Sequence, residues 1–249
     1  MIDLWLIGIG TGNPDHVTFE AAQAIRDADL ILIPRKGPNK ADLADIRHQI
    51  IAKVASDALP KVAEFDIPTR DASGFDLDGV KDWHDAIAEV WKEAIKANDG
   101  MGKRVALLVW GDPSLYDSTL RIAERLDPKP NLRVIAGITS LQALTAAHAI
   151  PINRIGAPFT VTTGRQLREN GWPKGADTIA VMLDGECSFQ CLDPREFEIW
   201  WGAYVGMPEQ LLIRGRLGDV SDEILETRAQ ARENHGWIMD IYVLRKVGA

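Results

Sequence analysis

The residues with the most chemical potential fall in three short segments. Gly111-Asp112-Pro113-Ser114-Leu115-Tyr116 directly follows the apolar run Arg104 to Trp110. A run of that type ending in Gly-Asp-Pro reads as a buried strand that stops in a loop of exposed backbone. Ligands of open α/β sheets bind outside the carboxyl ends of strands. Gly8-Ile9-Gly10-Thr11-Gly12-Asn13-Pro14 ends an earlier apolar run, and Gly137-Ile138-Thr139-Ser140 ends a later one. Three strand ends thus carry small, backbone-exposing residues, as a cleft along one sheet edge requires.

Each segment also has a plainer reading. The pattern G-x-G-x-x-G needs glycine at position 13, where this chain has Asn13. Asp15 sits where a phosphate-binding helix would begin, and a negative charge there repels a pyrophosphate. The alternative is a tight strand-to-helix turn that needs glycine only for positive φ. Asp112 and Asp117 could suggest acid–base work, but a helix start is the duller role. His16, His48, His84, His148 and His235 form no i, i+4 ligand pair and read as surface or helix-face residues. Cys187 and Cys191 make one C-x-x-x-C, a poor zinc signature, so no metal is expected and both read as reduced thiols. Arg165 and Arg168 flank a turn, and Arg214 and Arg216 flank Gly215. A carboxylate-rich substrate needs such groups, because arginine grips a carboxylate with two hydrogen bonds. A solvated charged face is the alternative for each.

These segments must be positioned by regular elements. Residues 2–9 read as a central strand, Thr18 as the cap of a helix carrying Phe19, Ala22, Ile25 and Ala28, and 30–33 as a second buried strand. Strand–helix–strand implies a parallel pair and an α/β sheet. A Pro/Gly/Lys loop over 35–42 precedes a helix over 42–58. Residues 64–79 read as irregular. Val80, Trp83, Ile87, Trp91 and Ala94 mark one face of a helix over 80–98. A strand over 104–110, a helix over 115–126, a strand over 132–136 and a helix over 141–149 follow. After a joint at 151–158 the strands alternate more: 159–163, 178–183, 203–205, 210–214 and 238–244, with helices near 193–201 and 221–234. The second half therefore reads as a mixed sheet.

The 249 residues are 46% hydrophobic and 26% charged, which allows one large domain or two modest ones. A net charge of −8 argues against a general nucleic-acid binder. No basic–apolar leader is visible, and no apolar run approaches the roughly 20 residues that span a bilayer. The expectation is a soluble, cytoplasmic protein with neither nucleic acid nor membrane as partner.

In joint order and spacing, these segments resemble the tetrapyrrole (corrin/porphyrin) methyltransferases. The carrying motifs are Gly8 to Pro14 followed by Ala28-Asp29-Leu30-Ile31-Leu32, then Gly111 to Tyr116, then Gly137 to Ser140. Ile179-Ala180-Val181-Met182 and Ala203-Tyr204-Val205-Gly206-Met207-Pro208-Glu209-Gln210, with Gly215 and Leu217 behind it, complete the set. Within the family the resemblance is nearest to the members that methylate precorrin-5. It rests on Trp110 to Ser118, the tail Gly236 to Tyr242, and an insert carrying Phe65 to Asp71 and Trp83-His84. Thr11, Asn13, Ala136 and Asp117 depart from the family's Pro, Asp, Pro and Gly.

The resemblance implies two αβα domains, 1–152 and 153–249, the first sheet mostly parallel and the second mixed, with a cofactor cleft between them. It implies S-adenosylmethionine as cofactor, S-adenosylhomocysteine as product, and Pro14, Trp110, Gly111, Asp112, Leu115, Thr139, Ser140, Met182 and Ala203 as its lining. It further implies methylation of precorrin-5 at C1 with loss of acetate, Arg165, Arg168, Arg214 or Arg216 as anchors of substrate carboxylates, and a homodimer. Loss of acetate wants a general base or an oriented water, and no residue stands out for it. Rival readings are another precorrin methyltransferase or diphthine synthase on the same fold, or a NAD-linked or non-catalytic nucleotide-binding protein.

Overall fold

A computed structural model describes residues 2–35, 41–56, 59–68 and 77–248. The chain divides into two compact units, Met1–Thr139 and Ser140–Ala249.

The first unit is built on β1 (Asp3–Gly8), β2 (Leu30–Arg35), β3 (Lys61–Asp66), β4 (Arg104–Val109) and β5 (Asn131–Ile135). Their order is β3-β2-β4-β1-β5, and every pair is parallel. Four helices make the crossovers: α1 (Phe19–Asp27), α2 (Ala41–Val54), α3 (Leu77–Ala97) and α4 (Thr119–Ala123). The chain leaves β1 and β2 in one direction along the sheet and leaves β3 and β4 in the other. Right-handed crossovers then put α1 and α2 on one face and α3 and α4 on the opposite face, and the helices pack in those pairs. Leu4, Leu6, Leu30, Leu32, Val105 and Leu107 meet Ile87, Trp91, Ile95 and Ile122 in one continuous core. Thr18 caps α1 as expected, its Oγ1 accepting from the Ala21 N–H at 3.0 Å.

Several expectations need correction. The first residues of the stretch read as irregular belong to strand β3, which needs only backbone pairing to β2 at the sheet edge. Residues 69–76 of that stretch, including Thr69, Arg70 and Asp71 of the insert motif, lie outside the described residues, as do 36–40 of the Pro/Gly/Lys loop. The helix expected over 115–126 shrinks to α4. Tyr116 has φ 50°, which no right-handed helix admits. Phe19 is 97% exposed, because α1 buries Ala21, Ala24 and Ile25 instead. His84 is a helix-face residue of α3 but a buried one, and His148 is buried just past α5, bonded through Nε2 to the Trp201 carbonyl at 3.0 Å.

The second unit carries β6 (Thr160–Thr163), β7 (Thr178–Met182), β8 (Phe197–Ala203), β9 (Leu211–Arg216) and β10 (Asp240–Lys246) in the order β6-β7-β10-β8-β9. Only β6 and β7 pair in parallel, so the sheet is mixed, as expected. Three helices accompany it: α5 (Ser140–Ala147), α6 (Gly164–Asn170) and α7 (Leu217–His235). Leu141 and Leu144 of α5 pack on Ala180 and Val243 of this sheet. The helix expected near 193–201 is instead strand β8. Phe197, Ile199, Trp201 and Ala203 are buried while Glu198 and Trp200 are less so, a period of two. Tyr204, at φ 51°, ends that strand, so residues 203–205 are not a strand of their own. Helix α6 went unforeseen. Thr163 starts it, its Oγ1 accepting from the Gln166 N–H at 3.3 Å.

Candidate functional site

In the first unit, three adjacent parallel strands, β4, β1 and β5, deliver their carboxyl ends to one place. The loops behind β1 and β4 are joined directly. Gly111 N–H donates to the Gly10 carbonyl at 2.7 Å and Gly10 N–H to the Gly111 carbonyl at 3.3 Å. Gly10 and Gly111 adopt φ 77° and 67°, open to glycine at little cost. The third loop crosses so closely that side chains are excluded. A Cβ on Gly8 would lie 2.6 Å from the Gly137 nitrogen, and one on Gly137 would overlap the Gly111 carbonyl oxygen. Gly111 is the exception. A Cβ there would meet only the Thr139 Cα, at 3.8 Å, so its backbone faces open space.

Asp112 fastens this crossing. One carboxylate oxygen accepts from the Gly137 N–H at 2.9 Å, and the other from the Ser114 N–H at 2.8 Å and hydroxyl at 2.5 Å. Burial works to raise its pKa, but these hydrogen bonds outweigh it and hold the carboxyl below the usual carboxylate range. Asp112 is thus a charged clamp between two strand ends and not a helix start. Asp117 does sit ahead of a helix, accepting from the Thr119 N–H at 2.6 Å and from the Thr119 hydroxyl. Pro14 opens a single 3-10 turn over Pro14–His16, with Asn13 Oδ1 accepting from the Asp15 N–H at 2.9 Å. Trp110, Leu115, Pro14 and Thr139 are half-buried around these loops.

Ser140, Met182 and Ala203 belong to the second unit. β7 and β8 both run antiparallel to β10, so Met182 and Ala203 end their strands at the same end of that sheet. Met182 packs half-buried against the cluster around Leu144, and Ala203 is fully buried.

The four arginines differ. Arg168 is engaged inside the fold. It donates to Asp184 at 3.3 Å, to the Ser188 hydroxyl at 2.7 Å and to Glu186 at 3.2 Å. Arg214 and Arg216 lie two apart on β9 and share one exposed face, Arg216 with Glu198 at 4.0 Å. Arg165 is half-buried on α6.

Three residues escaped the sequence reading. Asp184 is buried and accepts from the Tyr242 hydroxyl at 2.6 Å, the Ser188 N–H at 2.5 Å and the Ser188 hydroxyl at 2.6 Å. Arg228 donates to Asp240 at 2.9 Å and to the Asp184 carbonyl at 3.2 Å. Arg47, on α2, donates through Nε to the Leu108 carbonyl at 3.0 Å. The Tyr242–Asp184, Arg228–Asp184 and Arg47–Leu108 bonds span 58, 44 and 61 residues, which no local pattern announces.

Chemically, the strand ends offer backbone donors and acceptors, small hydroxyls and little bulk. That suits a compact polar ligand held chiefly by main-chain groups. The loop behind β1 also holds one hydroxyl–imidazole contact, Thr11 Oγ1 to His16 Nδ1 at 2.9 Å.

Comparison with known proteins identifies the family and the fold. Residues 3–221 match the family model for tetrapyrrole (corrin/porphyrin) methylases. The chain is 47% identical to a precorrin-6A synthase [deacetylating] of Sinorhizobium sp, over 99% of this chain and 96% of that one. It superposes on a cobalamin-synthesis-related protein (CobF) from Corynebacterium diphtheriae with a TM-score of 0.82 at 37% identity, covering 99% of each. A uroporphyrin-III C-methyltransferase from Thermus thermophilus, solved with S-adenosylhomocysteine, shares the fold at a TM-score of 0.59 and 18% identity, covering 98% and 97%.

Proposed function

Because the chain belongs to the tetrapyrrole (corrin/porphyrin) methylase family, we propose that it is an S-adenosylmethionine-dependent methyltransferase of cobalamin biosynthesis. Its reaction is methylation of precorrin-5 at C1 with loss of acetate, giving precorrin-6A. The observation that carries this reading is the near-full-length likeness to the Sinorhizobium enzyme.

The residues present suit that cofactor. The loops of Gly10, Gly111 and Gly137 leave main-chain groups accessible beside Gly111, where a Cβ would meet almost nothing. Pro14, Trp110, Gly111, Asp112, Leu115, Thr139, Ser140, Met182 and Ala203 are the residues we assign to line it. When bound, the sulfonium supplies an electrophilic methyl and is itself a good leaving group. The protein's task is then alignment more than activation. The Asp112 clamp serves that task, because it fixes the β4 loop against the β5 loop with charge-assisted bonds.

The substrate carries many carboxylates. Arg214 and Arg216 share an exposed face and, with Arg165, are the arginines we assign to hold them. Arg168 is already paired to Asp184 and Glu186, and its role is to fix the loop after β7. We read the protein as a cytoplasmic homodimer. Among the described residues no helix is long and apolar enough to cross a membrane. Titration calorimetry with S-adenosylhomocysteine tests the cofactor assignment. Micromolar binding is expected, and no binding alongside measurable NAD binding would replace this reading with a nucleotide-binding one.

A further inference from the structure

Strands β2 and β4 are paired only from Leu30↔Val105 to Leu32↔Leu107. Strand β4 continues beside β1 as far as Gly8↔Val109. The two strands therefore part at the carboxyl end of the sheet. They also lead away in opposite directions, β2 to β3 and β4 to β5. A parting of that kind is a topological switch point, where open α/β sheets take their ligands.

Arg47 stands in this split. The Val109 carbonyl accepts from the Ile9 N–H on the β1 side. Successive carbonyls of a strand point to opposite edges, so the Leu108 carbonyl faces β2, where pairing has already stopped. Arg47 Nε takes it at 3.0 Å. Nη1 donates to the Leu43 carbonyl of its own helix at 2.8 Å. A guanidinium has five N–H donors, and these two bonds leave Nη2 without a partner among the described residues. The carboxylate of Asp117 draws on the charge but is bonded to Thr119. Burial pushes the Arg47 pKa down to about 10, with Asp117 opposing. Arg47 is half-buried, and a guanidinium bonded only to carbonyls keeps its charge and a free N–H edge for an anion.

We propose that Arg47 is the receptor for a carboxylate of the bound ligand, seated where β2 and β4 part. The inference rests on the functional reading above and extends it. The carboxylate is either that of the cofactor's amino-acid moiety or a side-chain carboxylate of the tetrapyrrole. Arginine offers both a charge and a paired N–H edge for such a group.

The test uses the full-length chain and its Arg47→Gln and Arg47→Lys variants. Affinity is measured for S-adenosylhomocysteine and for 5′-methylthioadenosine, which lacks the amino-acid carboxylate, and KM is measured for precorrin-5. For a cofactor carboxylate, Arg47→Gln weakens S-adenosylhomocysteine about 10- to 100-fold, leaves 5′-methylthioadenosine within twofold, and Arg47→Lys recovers part of the loss. For a substrate carboxylate, cofactor affinity is unchanged and the precorrin-5 KM rises about 10-fold or more with kcat retained. Either result supports the receptor. Three results would overturn it: no change in any affinity or KM, equal loss for both adenosyl ligands, or an Arg47→Gln chain that no longer folds, which would make the guanidinium a structural clamp. A wild-type chain that binds no S-adenosylhomocysteine would overturn the functional reading itself and this inference with it.

Discussion

The Asp112 carboxylate and the Gly137 N–H lie 2.9 Å apart and tie the loop behind β4 to the loop behind β5. The bond crosses β1, which lies between those strands. It therefore sets the spacing of all three strand ends. Asp112→Ala removes a partly buried acceptor from three donors. Urea unfolding should show a loss of about 1–3 kcal/mol, and S-adenosylhomocysteine should bind at least several-fold more weakly. Asp112→Asn keeps one acceptor and should fall between.

Backbone crowding predicts an ordering among glycines. Gly137→Ala drives a methyl into the Gly111 carbonyl, and Gly8→Ala meets the Gly137 nitrogen. Neither neighbour is a flexible side chain, so each substitution should reach or exceed the usual overpacking cost of about 1–3 kcal/mol. Gly156→Ala is the control. Its surroundings are open and only its φ of 71° is unfavourable, which costs about 1–2 kcal/mol. Equal losses for Gly137→Ala and Gly156→Ala would contradict the crossing.

Arginines that look alike in sequence should separate by assay. Arg168→Gln leaves the buried Asp184 short of a donor, and its effect should be on stability, about 1–3 kcal/mol. Arg214→Gln touches an exposed position on β9. It should leave the melting temperature within a degree or two and raise the precorrin-5 KM several-fold. A KM effect confined to Arg168→Gln would reverse the assignment.

Asp184 predicts an acid-sensitive second unit. Burial works to raise its pKa, but hydrogen bonds from Ser188 and Tyr242 prevail and hold it below the usual 3.8. A depressed folded-state value contributes stability above the unfolded pKa, which is lost as pH falls through the folded one. Tyr242→Phe deletes one of those donors. The variant should be less stable by about 1–2 kcal/mol near neutrality, and the gap should narrow below about pH 4. Denaturant melts at pH 7 and pH 3 would show it.

Much of this was legible in the chain because buried parallel strands announce themselves. Leu30 to Ile33 and Val105 to Val109 are apolar without interruption, and each is a central strand. The glycine loops were legible for a related reason, since a strand that ends in Gly-x-Gly or Gly-Asp-Pro has few other uses. Strand β3 was not, because an edge strand is stabilised by backbone pairing and only Phe65 of its six residues is buried. Strand β8 was misread because Trp200, Trp201 and three nearby acidic residues fit either periodicity, and only pairing with β9 and β10 decides. Arg47 was invisible. Its partner lies 61 residues away, and its setting exists only because β2 and β4 part after Leu32 and Leu107. Asp112 was singled out for its neighbours, yet its Gly137 bond could not be foreseen from one segment alone.

The central claim is tested most directly by anaerobic incubation of the pure protein with S-adenosylmethionine and precorrin-5, followed by mass spectrometry. The account predicts a product that has gained one methyl group, with release of one equivalent of acetate and of S-adenosylhomocysteine. Tight S-adenosylhomocysteine binding with precorrin-5 left intact, and methylation of a different precorrin, would contradict the assigned acceptor while leaving fold and family in place.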